Sequence, residues 1–406
     1  MYSRKILLTK SQIDTVNWEN FRRPATGLYS LADADDTILP DTLQLLLQKE
    51  KLPQEPRYDK IGNLYRSGFY KALEQRMWAA VPTVETLIRH AVLIDNSFLR
   101  AFPTMAGSYR QNETGELDRF AVTLLKLGEP VLVYCQDGSG VWSFVQSQQA
   151  CGWIMTAHLA WEDDIFRWEQ YCNEREQVLV ADSRRELEYV DFDGLLKTQL
   201  LLMGTRLPVY DVTDDTFILG VPRRDKKDNL VMLQTMVQRD GGFLPGHLPF
   251  CVQNIISQGK KMLGEPYGWG GTNYYRDCTS LIADLFSVFG LQFPRNSGQQ
   301  INMFGIESCG KQREQKRQFI SRLPAGSILY FPGHAMLYLG RNDSQLEILH
   351  SVYVIGLPTL DKIIPHKIKR VVQGNLHQHR VNGELLLDAV TACWVPERQK
   401  TFLPKR

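Results

Sequence analysis

The segment PYGWGGTNYYRDCTSLIADLF, residues 266 to 286, carries an Asp-Cys pair from a glycine-rich aromatic loop to the front of an amphipathic run. Cys278 is the residue there that can act as a nucleophile. In the first turn of a helix, unpaired amides and the positive end of the helix dipole favour an anion. Such a setting, with an imidazolium alongside, lowers a thiol pKa from about 8.5 to roughly 3.5–7.5. The sequence therefore predicts a thiolate available near neutral pH, with the Cys278 N–H placed to support an oxyanion. A base follows in FPGHAMLYLG, where His334 opens a strand after the Pro332-Gly333 turn. The next strand, LEILH, ends in His350.

If Arg341-Asn342-Asp343 is a three-residue hairpin loop, Gly340 lies opposite Ser344 and His334 opposite His350. The Cβ atoms of such cross-strand neighbours are about 4.5–5.5 Å apart. One imidazole then accepts the thiol proton while the other orients it. A loop one residue longer or shorter would put the rings on opposite faces. A lone Cys on a helix is more often a core residue, and a lone His on a strand a satisfied polar group. Their joint placement is what points to nucleophilic catalysis. His377 and His379 lie on a loop without thiols or carboxylates at ligand spacing, so no metal is expected. Gly268, Gly270 and Gly271 lack the strand context and spacing of a phosphate loop. No cofactor is implied.

These side chains need a scaffold. Residues 1–85 read as an irregular and helical segment, with one helix opening at Pro40-Asp41-Thr42 and another from Tyr65 to Ala80. Packing or clamping is the role expected of this segment. From 86 to 170 the texture becomes short β-rich runs, with Asp137-Gly138 and Ser139-Gly140 as hairpin turn signals. Residues 175–248 repeat that texture, and MGTRLPVY (203–210) echoes LGEPVLVY (127–134). Two small β-barrels in tandem are predicted. Residues 249–396 begin with two helical patterns: Val252, Ile255, Ile256 and Leu263 in one, Leu281, Ile282, Leu285, Phe286 and Phe289 in the other. Strand-like runs at 327–331, 335–340, 346–350 and 384–395 follow, which together predict an α+β domain.

The chain has 406 residues, enough for two to four domains. With 47 basic and 45 acidic side chains it offers no strong field for nucleic acid. No run approaches 18 apolar residues, so no transmembrane helix is expected. The basic start MYSRKILLTK has too short an apolar core for a secretory signal. With Met1 as the true start the expected location is cytoplasmic; a trimmed export signal would instead place the protein in the periplasm or cell envelope. Seven cysteines without CxxC spacing fit reduced thiols.

The motifs PYGWGG with DCTSL, PRNSGQQ (294–300), GHAMLYLG and LEILH occur in the order found in the NlpC/P60 cysteine peptidases, and the C-terminal region resembles them. Upstream, SFLRAFPT, LGEPV and CGW resemble a bacterial SH3-like (SH3b) domain. Together these regions, nearly the whole chain, look like the multidomain γ-D-glutamyl-L-diamino-acid endopeptidases. The resemblance implies a multidomain fold: a helical N-terminal segment, two SH3-like barrels and a papain-like α+β catalytic domain. It implies Cys278 as nucleophile, His334 as base and His350 as orienting residue. Tyr267 matches an aromatic residue bordering the thiol, and Asp277 and Ser297 match positions contacting the free L-Ala amine and D-Glu of a peptidoglycan stem peptide. Asp118 is a further candidate for the amine, and the Gly152-Trp153 pair is read as barrel core. Thr279-Ser280 replaces the family's usual Ser-Gly after the nucleophile. The same triad would also serve an N-acyl amidase or acyltransferase, and loss of activity would leave a wall-binding protein. Oligomeric state stays open.

Overall fold

The computed structural model describes residues 2–172, 177–310, 312–343 and 345–402. The chain is multidomain, and the N-terminal segment packs against both the C-terminal core and the first β unit. Helix Lys10–Phe21, capped reciprocally by Thr9 and Gln12, inserts Ile13 and Val16 among Phe250, Phe286 and Phe289 of the C-terminal core. Helices Pro40–Leu47 and Ser67–Ala79 turn Leu43, Leu47, Leu73 and Met77 toward Phe102, Trp142 and Trp153 of the first β unit. Lys10–Phe21 escapes a periodicity reading because its few apolar residues trace no broad stripe.

The first β unit is a seven-stranded sheet and the second a five-stranded sheet with the separate hairpin Arg184–Val190 and Leu196–Leu202. Neither sheet closes on itself, so both are open sheets where closed barrels were expected. The 127–134 and 203–210 echo has a structural counterpart. Gly128 N–H donates to Leu93 O at 2.8 Å, and Gly204 N–H donates to Val180 O at 2.9 Å. In each unit the strand after that glycine pairs antiparallel with the strand that supplied the carbonyl.

The C-terminal region packs helices on a six-stranded sheet. Helix α1 (Val252–Lys261) buries Val252, Ile255 and Ile256, whereas Leu263 lies beyond its end and is half-exposed. Helix α2 (Cys278–Ser287) buries Leu281, Ile282, Leu285 and Phe286. The strands are β1 (Ile306–Ser308), β2 (Ile328–Phe331), β3 (His334–Asn342), β4 (Gln345–Pro358), β5 (Ile363–Asn375) and β6 (Ala392–Trp394), in spatial order β1-β6-β2-β3-β4-β5. Residues 384–395, read as a strand, instead form the one-turn helix Leu386–Ala389 before β6. Leu386, Leu387, Ala389 and Val390 are all buried, and a continuous apolar run does not distinguish a buried helix from a strand.

The β3–β4 register also departs from the expected one. Gly340 pairs with Glu347, and Asn342 with Gln345, so the turn is tighter than three residues. Ser344, the expected partner of Gly340, lies outside the described residues. Leu337 faces Leu349; one step further, His350 lies across from Met336, two residues from His334. The turn alone offsets the pairing by three, which would part the rings, but the irregularity between Tyr338 and Gly340 takes one residue back, and a net shift of two keeps both imidazoles on one face because the strand period is two.

Candidate active site

The loop before the nucleophile is shaped by close approach to the first β unit. Gly270 and Gly271 have φ of +58° and +90°. A Cβ on Gly271 would sit 2.3 Å from the Leu124 Cβ, and one on Gly270 2.7 Å from the Ala121 Cβ. Only glycine fits both the backbone and the space. The chain then enters α2 through Asp277, whose carboxylate accepts the Ser280 N–H at 3.0 Å while the Ser280 hydroxyl accepts the Asp277 N–H at 2.9 Å. That reciprocal cap places Cys278 at the first helical position.

Cys278 is 8% exposed, with Sγ 4.0 Å from the Gly333 carbonyl and the Ala335 N–H directed at it. Both contacts flank His334, the first residue of β3. His334 Nε2 lies 2.9 Å from His350 Nδ1, with ring centroids 5.1 Å apart. Because Nε2 is engaged, Nδ1 is the nitrogen of His334 left to take a proton from the thiol. That requires His334 to carry its own proton on Nε2 and donate it to His350 Nδ1. His350 is then protonated on Nε2, which is buried without a partner among the described residues. When His334 becomes an imidazolium, the bond to His350 persists, which is what an orienting residue must provide.

The resting charges differ from the sequence expectation. Burial first, and the charge of Asp277 second, push the Cys278 thiol up to about 12, outweighing the Ala335 and Thr279 amides. Burial, then the Arg380 cation, push His334 down to about 4. His350 is pushed well below the ordinary imidazole value by burial and by His334. The pair at rest is neutral thiol and neutral imidazole, so the proton must move during attack. The helix end by itself favours the thiolate; desolvation, which arises only in the folded surroundings, outweighs it.

Asp277 stands beside the thiol, but its acceptor positions are used within the protein. Arg295 Nη2 donates to Oδ2 at 2.6 Å and the Gly270 N–H at 3.2 Å; Oδ1 receives Thr279 Oγ1 at 3.1 Å and both Ser280 donors. An ammonium would have to displace one of these donors. Burial would raise the Asp277 carboxyl; the Arg295 charge and hydrogen bonds outweigh it and hold the group below the ordinary value. Replacing Asp277 by Asn is expected to cost about 3–5 kcal/mol, because Arg295 stays buried without its counter-ion; urea unfolding at pH 7 measures this. The pair's contribution is complete above the unfolded pKa of about 4 and is lost as pH falls through the depressed folded value.

Ser297 is half-buried at the start of a one-turn helix that follows Arg295. Tyr267 borders the site, its N–H bonded to Lys369 O at 2.8 Å and its ring 5.8 Å from Tyr353. Burial, then Asp277 and Cys278, push its phenol far up, so it stays protonated and able to donate. Asp118 is consumed by Arg100 at 3.0 Å and by the N–H groups of Ser108 and Phe120, which rules it out as a free amine partner. Trp153 is fully buried in the core of the first β unit.

Sequence reading missed the wall that the first β unit raises beside Tyr353. Glu116 accepts from Lys369 Nζ at 2.7 Å, Lys367 Nζ at 3.2 Å and the Tyr353 hydroxyl. Burial raises its carboxyl, but these donors bring it down to about 2. Arg119 lies 4.4 Å over the Trp269 ring. Arg295 was visible within PRNSGQQ but carried no signal of its partner.

Residues 264–356 match the NlpC/P60 family, and residues 107–155 match the SH3 domain of SH3b1 type. No curated protein matches the sequence. Among solved structures, the chain is similar to a novel NlpC/P60 endopeptidase from Photobacterium damselae subsp. piscicida: TM-score 0.79, 18% identity, 97% of this chain and 94% of that one. It is also similar to an NlpC/P60 family protein from Bacillus cereus ATCC 10987: TM-score 0.51, 17% identity, 78% of this chain and 100% of that one.

Proposed function

We propose that this chain, which carries an NlpC/P60 domain behind an SH3b-type unit, is a cysteine endopeptidase of peptidoglycan stem peptides. Its bond is the one between γ-D-glutamate and the diamino acid, in murein peptide recycling or remodelling. The observation that carries the reading is the thiol of Cys278 seated against the start of β3, with His334 hydrogen-bonded to His350. Attack transfers the Cys278 proton to His334 as the sulfur bonds to the carbonyl carbon. The oxyanion meets the N–H of Cys278, which has no intrahelical partner at the helix start, and the Tyr267 hydroxyl. His334 then returns the proton to the leaving amine, and a thioester remains. Water, deprotonated by His334, releases the acid and restores the thiol.

Purified protein incubated with L-Ala-γ-D-Glu-meso-diaminopimelate is expected to yield L-Ala-D-Glu and free diaminopimelate by mass spectrometry. Intact tripeptide after prolonged incubation, or equal cleavage by a Cys278→Ala variant, would overturn the reading.

A further inference from the structure

We infer that Arg276 is a positioning residue: it touches no reacting atom, yet it transmits the docking of both β units to the thiol two residues on. The inference rests on the peptidase reading for its kinetic arm only.

Arg276 is 3% exposed, and its guanidinium is almost fully used. Nε donates to Asp284 at 2.6 Å, Nη1 to Glu265 at 2.9 Å and to Ser183 Oγ at 3.0 Å, and Nη2 to the Ser183 carbonyl at 3.0 Å. Ser183 follows the strand Gln177–Val180 and belongs to the second β unit. Asp284, on α2 with Cys278, takes a further bond at 2.6 Å from Lys126 Nζ of the first β unit. Ser183 Oγ also donates to Glu265. Two cations and two carboxylates thus balance in a buried cluster that gathers both β units and the nucleophile's own helix.

The backbone of Arg276 carries the constraint onward. Its carbonyl accepts the Ser351 hydroxyl at 2.8 Å and the Gly268 N–H at 3.1 Å. Ser351 follows His350, so one residue is tied to both sides of the Cys-His arrangement. The preceding loop is held from the second unit too: Arg184 Nη1 donates to Tyr274 O at 2.8 Å and its guanidinium lies 4.3 Å over Tyr275. A lysine at 276 would keep the charge and lose the fork that reaches Ser183 and both carboxylates together. A cluster serving stability alone would have no need to place its hub two residues from the nucleophile and against the neighbour of the orienting histidine.

The test compares full-length Ser183→Ala and Arg276→Lys with wild type. It reads kcat and KM on the tripeptide, and the rate at which iodoacetamide alkylates Cys278, followed on its own peptide by mass spectrometry. A 1 Å misplacement of reacting groups costs about 10²-fold. On that scale Arg276→Lys is expected to lower kcat about 100-fold and Ser183→Ala about 10-fold, with KM within about 2-fold. Both variants should alkylate faster at Cys278, as the thiol leaves its enclosed seat. Wild-type kcat and alkylation in both variants, or a lowered kcat with an unaltered alkylation rate, would overturn the inference. Wild-type protein that fails to cleave the tripeptide would overturn the peptidase reading instead, and alkylation alone would then decide the role of Arg276.

Discussion

Cys278→Ala should lower kcat on the order of 10⁶-fold, the scale seen when a covalent nucleophile is removed. The fold should survive. The thiol makes one long contact to the Gly333 carbonyl and receives the N–H groups of Ala335 and Thr279, so its loss opens a small gap and strands no buried charge. Truncation of a side chain this small costs about 1 kcal/mol. Cys278→Ser is the sharper control, because it keeps a hydroxyl where the sulfur stood. An alcohol is a poorer nucleophile than a thiol when the base is a neutral imidazole, so this variant should also be inactive on the tripeptide. Both variants should show wild-type circular dichroism and a Tm within a few degrees. Residual cleavage by the alanine variant above about a thousandth of wild type would mean that another group attacks.

How much of this was legible in the sequence depends on the range over which each contact acts. The helix start at Asp277-Cys278 is local: an N-cap acid, a serine three residues on and an apolar stripe behind it. The pairing of His334 with His350 was half legible. Parity along the strands put both rings on one face, but the tight turn and the irregularity between Tyr338 and Gly340 set the offset, and neither has a strong residue signature. The Asp277–Arg295 pair was not legible, since nothing in PRNSGQQ says which acid its arginine meets. Still less was the bond from Glu116 to Lys369, 253 residues apart, or the cluster around Arg276, which exists only after two β units have docked. The thiol's environment is not legible in the sequence for a related reason. Its burial is created by β3 and the loop together, and desolvation is a property of the folded surroundings, not of the helix end.

That environment fixes the second large effect. His334→Gln should lower kcat about 10⁴-fold, the upper range for loss of a general base. A glutamine can hold a hydrogen bond but cannot accept the thiol proton, so the resting thiol, pushed up to about 12, has no route to thiolate near neutral pH. The pH profile of the wild type follows from the same groups. Attack needs His334 neutral, and its pKa is depressed to about 4, so kcat/KM should be flat through neutral pH and fall only as pH drops through about 4. A preformed ion pair would differ, giving an acid limb at the thiol's own lowered pKa and early saturation of Cys278 alkylation with pH. Here alkylation of Cys278 should keep rising into the alkaline range. Stability must be measured alongside. A histidine whose folded pKa lies below its unfolded value of about 6.5 contributes stability that is lost as pH falls from there toward the folded value, because the unfolded chain binds more protons in that window. Circular dichroism at each pH separates the two. Activity that declines while the fold is intact, with a midpoint near 6 to 7, would show that the base titrates as an ordinary imidazole and that burial does not set its pKa.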